Sequence, residues 1–328
     1  MMSDEAATFL VTGAMGCIGS WVLRNLLDQG IKVVATDLAT EPDRPRLIMS
    51  DSEIASIGWA RLDVTDLSAV DDLVRSAGVT HIVHLAGLQI PFCKANPSLG
   101  AAVNVTGTAN IFEAARNNGV KGLAYASSLA VLGSVDQYPP GRVGDDAQPM
   151  PGTLYGVYKT ANENMAKIYW QDWEVANVGL RPYIVYGVGR DQGMTSDIAK
   201  AVLATAAGRP FHIRFNGPVA LQYASDAAEI FVRSAMSEHS GAAVCNLRGS
   251  VVEVETFVEV LRERYPDAEI TFEQDANLPF PADLDDSGLS SIIGDPPLTP
   301  LSNAIDADIK RFHTLLSQGK IDLGQLEA

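Results

Sequence analysis

Cysteine is scarce in this chain: three residues in 328, Cys17, Cys93 and Cys245, odd in number and far apart. That excludes a disulfide framework, and no metal-ligand spacing is formed, so no metal site is expected. Long apolar runs are absent; none approaches the ~20 residues that span a bilayer. Positive charge is in deficit, with 24 Lys and Arg against 40 Asp and Glu and a net charge of −16. Such a balance repels phosphate backbones and anionic lipid surfaces, so neither nucleic acid nor membrane is an expected partner. The first residues, Met1–Ala6, are short and acidic, unlike the basic start and apolar core of a secretion signal. A cytoplasmic protein with reduced thiols is expected. What is present is a globular composition, 47% hydrophobic and 20% charged.

The first half alternates two periodicities. Strand-like segments run over Thr8–Thr12, Ile31–Thr36, Trp59–Leu62, His81–Leu85, Gly122–Ser127 and Val175–Leu180. Helical stretches fall between them near Ile18–Gln29, Leu67–Ser76, Ala101–Asn117 and Thr153–Trp173. Such alternation predicts an α/β fold, a Rossmann-type doubly wound parallel sheet covered on both faces. After about residue 185 the pattern loosens into a polar loop, 187–197, and helical stretches near 198–207, 224–236 and 255–265. The expected division is a nucleotide-binding domain over 1–185 and a smaller C-terminal substrate-binding α/β region over 186–328. The boundary is soft, and segments are free to cross back.

Gly13, Gly16 and Gly19 lie between the first strand and the first helix. Glycines there permit a tight turn, close approach to a pyrophosphate and close helix–strand packing, while the helix start offers free N–H groups. Cys17 and Ile18 complete the loop. Asp37 closes the second strand, where a carboxylate accepts hydrogen bonds from an adenosine ribose and repels a 2′-phosphate. NAD is therefore expected over NADP, although Arg44 and Arg46 follow. Asp63 and Val64, after the third strand, are candidates for adenine contact. Leu85, Ala86 and Gly87, after the fourth, let the backbone pass close to the cofactor.

Tyr155 and Lys159 are one helical turn apart and face the same way. An ammonium near a phenol lowers the phenol's pKa, and a tyrosine so tuned can exchange a proton with an alcohol or carbonyl. Ser128, at the carboxyl end of the fifth strand, can hydrogen-bond the substrate oxygen, and Asn104 can orient the lysine through water. Each feature alone has a structural explanation; their joint order carries the chemistry. His81 and His84, in or beside a strand, read as satisfied core residues rather than ligands.

In that order these residues resemble the short-chain dehydrogenase/reductase superfamily, in its extended branch of NAD-dependent epimerases and dehydratases. The likeness runs from Thr8 to about Phe312, through 12–19, 84–88, 104–108, Ser127-Ser128, Tyr155–Lys159 and 180–187. The resemblance implies Tyr155 as acid/base, Lys159 as its tuner and a ribose ligand, and Ser128 as partner of the substrate oxygen. It also implies that Asn104, Leu85–Gln89 and Tyr183 line the cofactor, and that a homodimer forms through two long helices.

Departures from the branch bear on the substrate. Leu129-Ala130 follow Ser128, where many dehydratases of the branch carry Asp-Glu. Ile184 stands where nucleotide-sugar epimerases resemble one another in an asparagine, and Leu221-Gln-Tyr223 stands where they carry Arg-Asp-Tyr, whose arginine holds a phosphate. Arg190, Arg209 and Arg214 are the candidate substitutes for that contact. The expected activity is therefore hydride transfer between NAD and a secondary alcohol or ketone of a small polar molecule. A sugar, sugar acid, lactone or hydroxy-ketone fits, with Gln89, Ser128, Tyr155 and Arg190 facing it. The alternatives are a sugar or nucleotide-sugar epimerase with tightly bound NAD, and a catalytically silent NAD-sensing protein.

Overall fold

A computed structural model describes residues 7–327; Met1–Ala6 fall outside them. The strands are β1 (Thr8–Thr12), β2 (Lys32–Asp37), β3 (Gly58–Arg61), β4 (His81–His84), β5 (Gly122–Ala126) and β6 (Asn177–Arg181). The later ones are β7 (Ile184–Tyr186), β8 (Phe211–Ile213), β9 (Pro218–Tyr223), β10 (Ala242–Asn246), β11 (Ser250–Glu253) and β12 (Ile270–Phe272). Seven of them form one parallel sheet in the order β10-β6-β5-β4-β1-β2-β3. Alternate residues of β1 enter opposite layers: Phe9 and Val11 join the core holding Trp21, Val22 and Leu26, and Leu10 joins the core holding Val70, Ile111 and Phe112. Burial on both faces explains why these strands read as continuous apolar runs.

Thr12 lies beside Thr36 and His84 in register, so the loops leaving β1, β2 and β4 emerge together. The chain order reverses between β1 and β4, which opens the crevice where ligands of such sheets bind. The second half contributes a three-stranded sheet, β11-β9-β7, and a two-stranded one, β12-β8. It also returns to the main sheet: β10 pairs with β6, and the Ala224–Met236 helix packs beside the Cys17–Asp28 helix.

The long helix expected near 101–117 forms as a continuous helical run from Pro97 to Asn118, but with a π turn inside it. A short helix, Pro97–Ala101, passes through a π-helical turn, Ala102–Thr106, before Gly107–Asn118 continues. A final helix, Leu301–Ser317, lies beyond the reach of the sequence pattern, behind the Pro- and Asp-rich stretch. Among the described residues no helix is long and apolar enough to cross a membrane.

Candidate active site

The β1 loop and the helix after it lock together through one glycine. A Cβ at Gly19 would lie 2.3 Å from Gly13 O and 2.8 Å from Ala14 Cα, so only hydrogen fits. The helix it opens, Cys17–Asp28, has no side-chain cap and no acidic residue in its first turn, leaving its N–H groups and dipole facing the cleft. Cys17 is half-buried there, and desolvation pushes its thiol up to about 12, so it stays neutral.

Asp37 reaches back to this loop. Its carboxylate accepts from Met15 N (3.0 Å) and Ala39 N (3.2 Å), which fixes it at the mouth with lone pairs to spare. Asp63 accepts from the backbone and hydroxyl of Thr65, which hold its carboxyl below its usual range. Neither nearby arginine is free to meet a 2′-phosphate. Arg44 is paired with Asp191 (2.8 Å) and Met15 O, and Arg46 is paired with Glu41 and Asp43.

The end of β4 is tied to the π turn by a buried chain. Thr108 Oγ1 donates to Asn104 O, so it accepts from His84 Nε2–H. His84 Nδ1 is then the acceptor for Thr12 Oγ1 (2.7 Å), which itself accepts from Leu85 N and Ala86 N. This fixes one tautomer, and burial pushes the imidazole down to about 3. His84 is thus a satisfied structural residue. Asn104, 0% exposed, spends its amide N–H groups on Leu88 O and Gly100 O, while its Oδ1 has no partner. That acceptor faces Gly87, where a Cβ would lie 2.7 Å from it and 3.6 Å from Lys159 Nζ.

Thr153 caps the Leu154–Trp173 helix by accepting from Gly156 N. Gly156 lets the helix start press on the β5 loop: a Cβ there would lie 2.0 Å from Ala130 O. This contact sets the Tyr155 hydroxyl close enough to Ser128 for the serine hydroxyl to act on the phenol's pKa. Lys159 follows on the same face, with Nζ 5.5 Å from the Tyr155 ring centroid and donating to Ala126 O at 2.6 Å. Burial pushes Lys159 down to about 8.

The expected lowering of the Tyr155 pKa by Lys159 is not found. Burial raises the phenol above its usual value, and the opposing influences are the Ser128 hydroxyl and the charge of Arg190. The lysine, itself desolvated and turned toward a backbone carbonyl, is not among them.

Beneath this surface lies a buried network that sequence reasoning missed. Ser127 Oγ, unlike Ser128, turns inward and donates to Glu163 Oε1 at 2.5 Å. Arg181 holds both oxygens of Glu163 at 2.8 Å, and the two side chains are 3% and 4% exposed. Glu163 stands one turn after Lys159, so the pair fixes the helix against the ends of β5 and β6. An arginine ending the apolar strand 177–181 was the available signal that a partner lies nearby.

A cleft of about 480 Å³ runs over these parts. Gly13, Gly16, Cys17, Ile18, Gly19, Asp37, Asp63 and Val64 line it, together with Leu85, Ala86, Gly87, Gln89, Ser128, Tyr155, Lys159, Tyr183 and Arg190. Asn104 lies behind this lining. Leu88 and Met194 add apolar wall, as do Phe92 and Phe280, which the sequence did not point to. Arg214 is not in the cleft: it is paired with Asp197 at 2.7 Å.

The residues present fit a dinucleotide. The loop has no side chains in the way, the helix start is uncapped, Asp37 stands at the ribose end, and Asn104 Oδ1 and the buried Tyr183 hydroxyl lack partners. The comparisons agree. A curated relative, an uncharacterized 37.6 kDa protein of Escherichia coli O111:H-, is 31% identical over 232 residues, covering 69% of this chain and 68% of that one. The L-threonine dehydrogenase of Clostridium difficile superposes with a TM-score of 0.82 at 21% identity, over 97% of this chain and 99% of its own. MoeE5, solved with UDP-glucose and NAD, superposes with a TM-score of 0.77 at 27% identity, over 94% of this chain and 100% of its own. The family model for the NAD dependent epimerase/dehydratase family matches residues 9–246. The chain belongs to that family, and its cofactor is NAD.

Proposed function

We propose that the protein is an NAD-dependent oxidoreductase acting on a secondary alcohol or ketone of a small polar substrate: a sugar, sugar acid, lactone or hydroxy-ketone. The observation that carries this reading is the Tyr155–Ser128 pair on the cleft floor with Lys159 one turn away. Bound NAD supplies the hydride acceptor. Ser128 Oγ holds the substrate oxygen, and Tyr155 takes the hydroxyl proton as the carbonyl forms. The Lys159 ammonium is positioned for the ribose side of the cleft. Lys159 is buried and Ser128 and Tyr155 are half-buried, which limits the water that reaches the exchange.

The charge pattern supports a small substrate over a nucleoside diphosphate. A diphosphate is held by charge-assisted contacts. At the catalytic end of the cleft, the described residues offer Arg190 alone without a carboxylate partner besides Lys159, which is already bonded to Ala126. The test is NADH formation with a panel of sugars, sugar acids and small secondary alcohols, with Tyr155→Phe as control. Turnover lost in the variant supports the reading. No turnover across the panel removes it.

One feature favours a second reading, an epimerase that keeps its cofactor. Arg44 and Asp191 close an ion pair at 2.8 Å across the phosphate loop, with Gly189 4.0 Å (measured from an ideal Cβ) from Cys17 Cα. A strap there slows cofactor exchange. NAD found in an extract of the denatured protein, with no demand for added NAD, supports this reading. We further propose a cytoplasmic homodimer through the Leu154–Trp173 helix, whose Leu154, Val157 and Ile168 are 43–47% exposed. Residues 1–185 would then carry the cofactor, and most of 186–328 would shape the substrate side.

A further inference from the structure

Arg190 stands out among the cleft's charged groups. Its Nε is buried without a partner, and the one hydrogen bond of its side chain among the described residues is a long one, Nη2 to Thr195 Oγ1 at 3.5 Å. A guanidinium presents five N–H donors, so nearly all of its capacity is unspent. The adjacent carboxylate does not serve it, because Asp191 is bonded to Arg44. Asp37, which ends β2, accepts from Met15 N and Ala39 N, and Asp63, after β3, accepts from Thr65, so neither is bonded to Arg190. Thr195 and Gln89 stand beside the guanidinium. A Cβ at Gly193 would lie 3.0 Å from Arg190 Nη2 and 2.5 Å from Gln89 Oε1. The charge is felt at the Tyr155 hydroxyl.

We propose that Arg190 is the receptor for a carboxylate carried by the substrate close to the carbon whose hydroxyl meets Tyr155. This deepens the oxidoreductase reading and rests on it: among sugars, sugar acids, lactones and hydroxy-ketones, it selects the acids. One planar fork matches a carboxylate in charge and in shape. A phosphate dianion would need a second cation, and Lys159 is already bonded to Ala126 O. The Gln89 amide adds a polar contact on the same side, and Leu88, Phe92 and Met194 add apolar wall to the cleft. The same guanidinium acts on Cys17 at the phosphate loop, so the cofactor's pyrophosphate is the other oxyanion within its reach. The experiment separates the two.

The NAD-loaded protein is titrated by calorimetry with matched probes: glucuronate and glucose, galacturonate and galactose, gluconate and sorbitol, glycerate and glycerol, with glucose 6-phosphate alongside. NADH formation is followed for each, and NADH affinity is measured separately for wild type, Arg190→Gln and Arg190→Lys. For at least one pair the acid is expected to outbind its neutral partner by about 100-fold, the order set by a charge-assisted bidentate contact. Arg190→Gln removes that preference, Arg190→Lys keeps part of it, and NADH affinity stays within about 3-fold, since a changed fold would lose both. Neutral probes bound as well as acids, no probe bound at all, or glucose 6-phosphate preferred over every carboxylate would each overturn the proposal. So would a weaker NADH complex in Arg190→Gln with the acid preference intact, which assigns the residue to the pyrophosphate. Acid binding that depends on Arg190 without any NADH formation leaves the receptor standing and removes the oxidoreductase reading.

Discussion

Replacing Glu163 by glutamine keeps the shape of the helix and removes one charge beneath the catalytic floor. Arg181 then loses the carboxylate that holds its Nε and Nη2 at 2.8 Å in a site where both side chains are nearly inaccessible. Breaking a buried ion pair from one side costs about 3–5 kcal/mol, because the remaining charge stays buried. Two groups soften the loss: Arg181 Nη1 still donates to Asp145 O and Asn246 Oδ1, and the Asp145 carboxyl, pushed up to about 6 by burial, is mostly ionised at neutral pH. The lower end of that range, ~3 kcal/mol, is therefore expected, equivalent to a drop in Tm of roughly 4 °C for a chain of this length. Urea unfolding followed by tryptophan fluorescence measures it. The double variant Glu163→Leu with Arg181→Met should recover most of the stability, since an apolar pair leaves no stranded charge. The charge of Glu163 also raises the pKa of Lys159, so the glutamine variant should move the alkaline limb of the pH–rate profile downward. A loss below about 1 kcal/mol in Glu163→Gln, or a double variant no better than the single one, would refute the reasoning.

Tyr155→Phe should lower kcat/KM by about 10²–10⁴-fold, the usual worth of a positioned acid/base, with NADH affinity kept; fluorescence titration and initial rates check both. Gly19→Ala should abolish NADH binding, because the added methyl would sit 2.3 Å from Gly13 O; unchanged binding in a titration would contradict the packing described. His84 carries a folded-state pKa of about 3, below its unfolded value. The unfolded chain thus binds the extra proton, and stability falls as pH drops from about 6.5 toward 3, by ~2 kcal/mol at pH 5. His84→Gln should flatten that slope in urea melts taken between those limits. Asp37→Ser should raise the use of NADP relative to NAD, by removing the carboxylate at the 2′-position; steady-state rates with both cofactors test it.

How much of this was readable beforehand differs by residue. The strand-and-helix alternation, the glycine turn and the Tyr155–Lys159 spacing are local, and local patterns survive folding. The π turn was not readable, because it is held by Asn162 Nδ2, which donates to Asn104 O and Thr108 Oγ1 from another helix. The partner of Arg181 was hidden for the same reason. The Arg44–Asp191 pair joins loops 147 residues apart, which no short-range pattern announces. The direction of the Tyr155 pKa failed on a different ground. Spacing shows that a lysine is near, but burial and the direction of its ammonium decide which charge matters.

The return of β10 to the main sheet has a consequence for how the chain is made. Until residues 242–246 leave the ribosome, β6 stands at the rim with its outer backbone groups unpaired, and such a rim invites pairing with other chains. The Ala224–Met236 helix, which covers the Cys17–Asp28 helix, arrives equally late. A chain cut short near residue 185 would keep every group discussed for catalysis up to Lys159 and still leave this rim bare. Aggregation during synthesis, rather than a stable cofactor-binding fragment, is its expected fate.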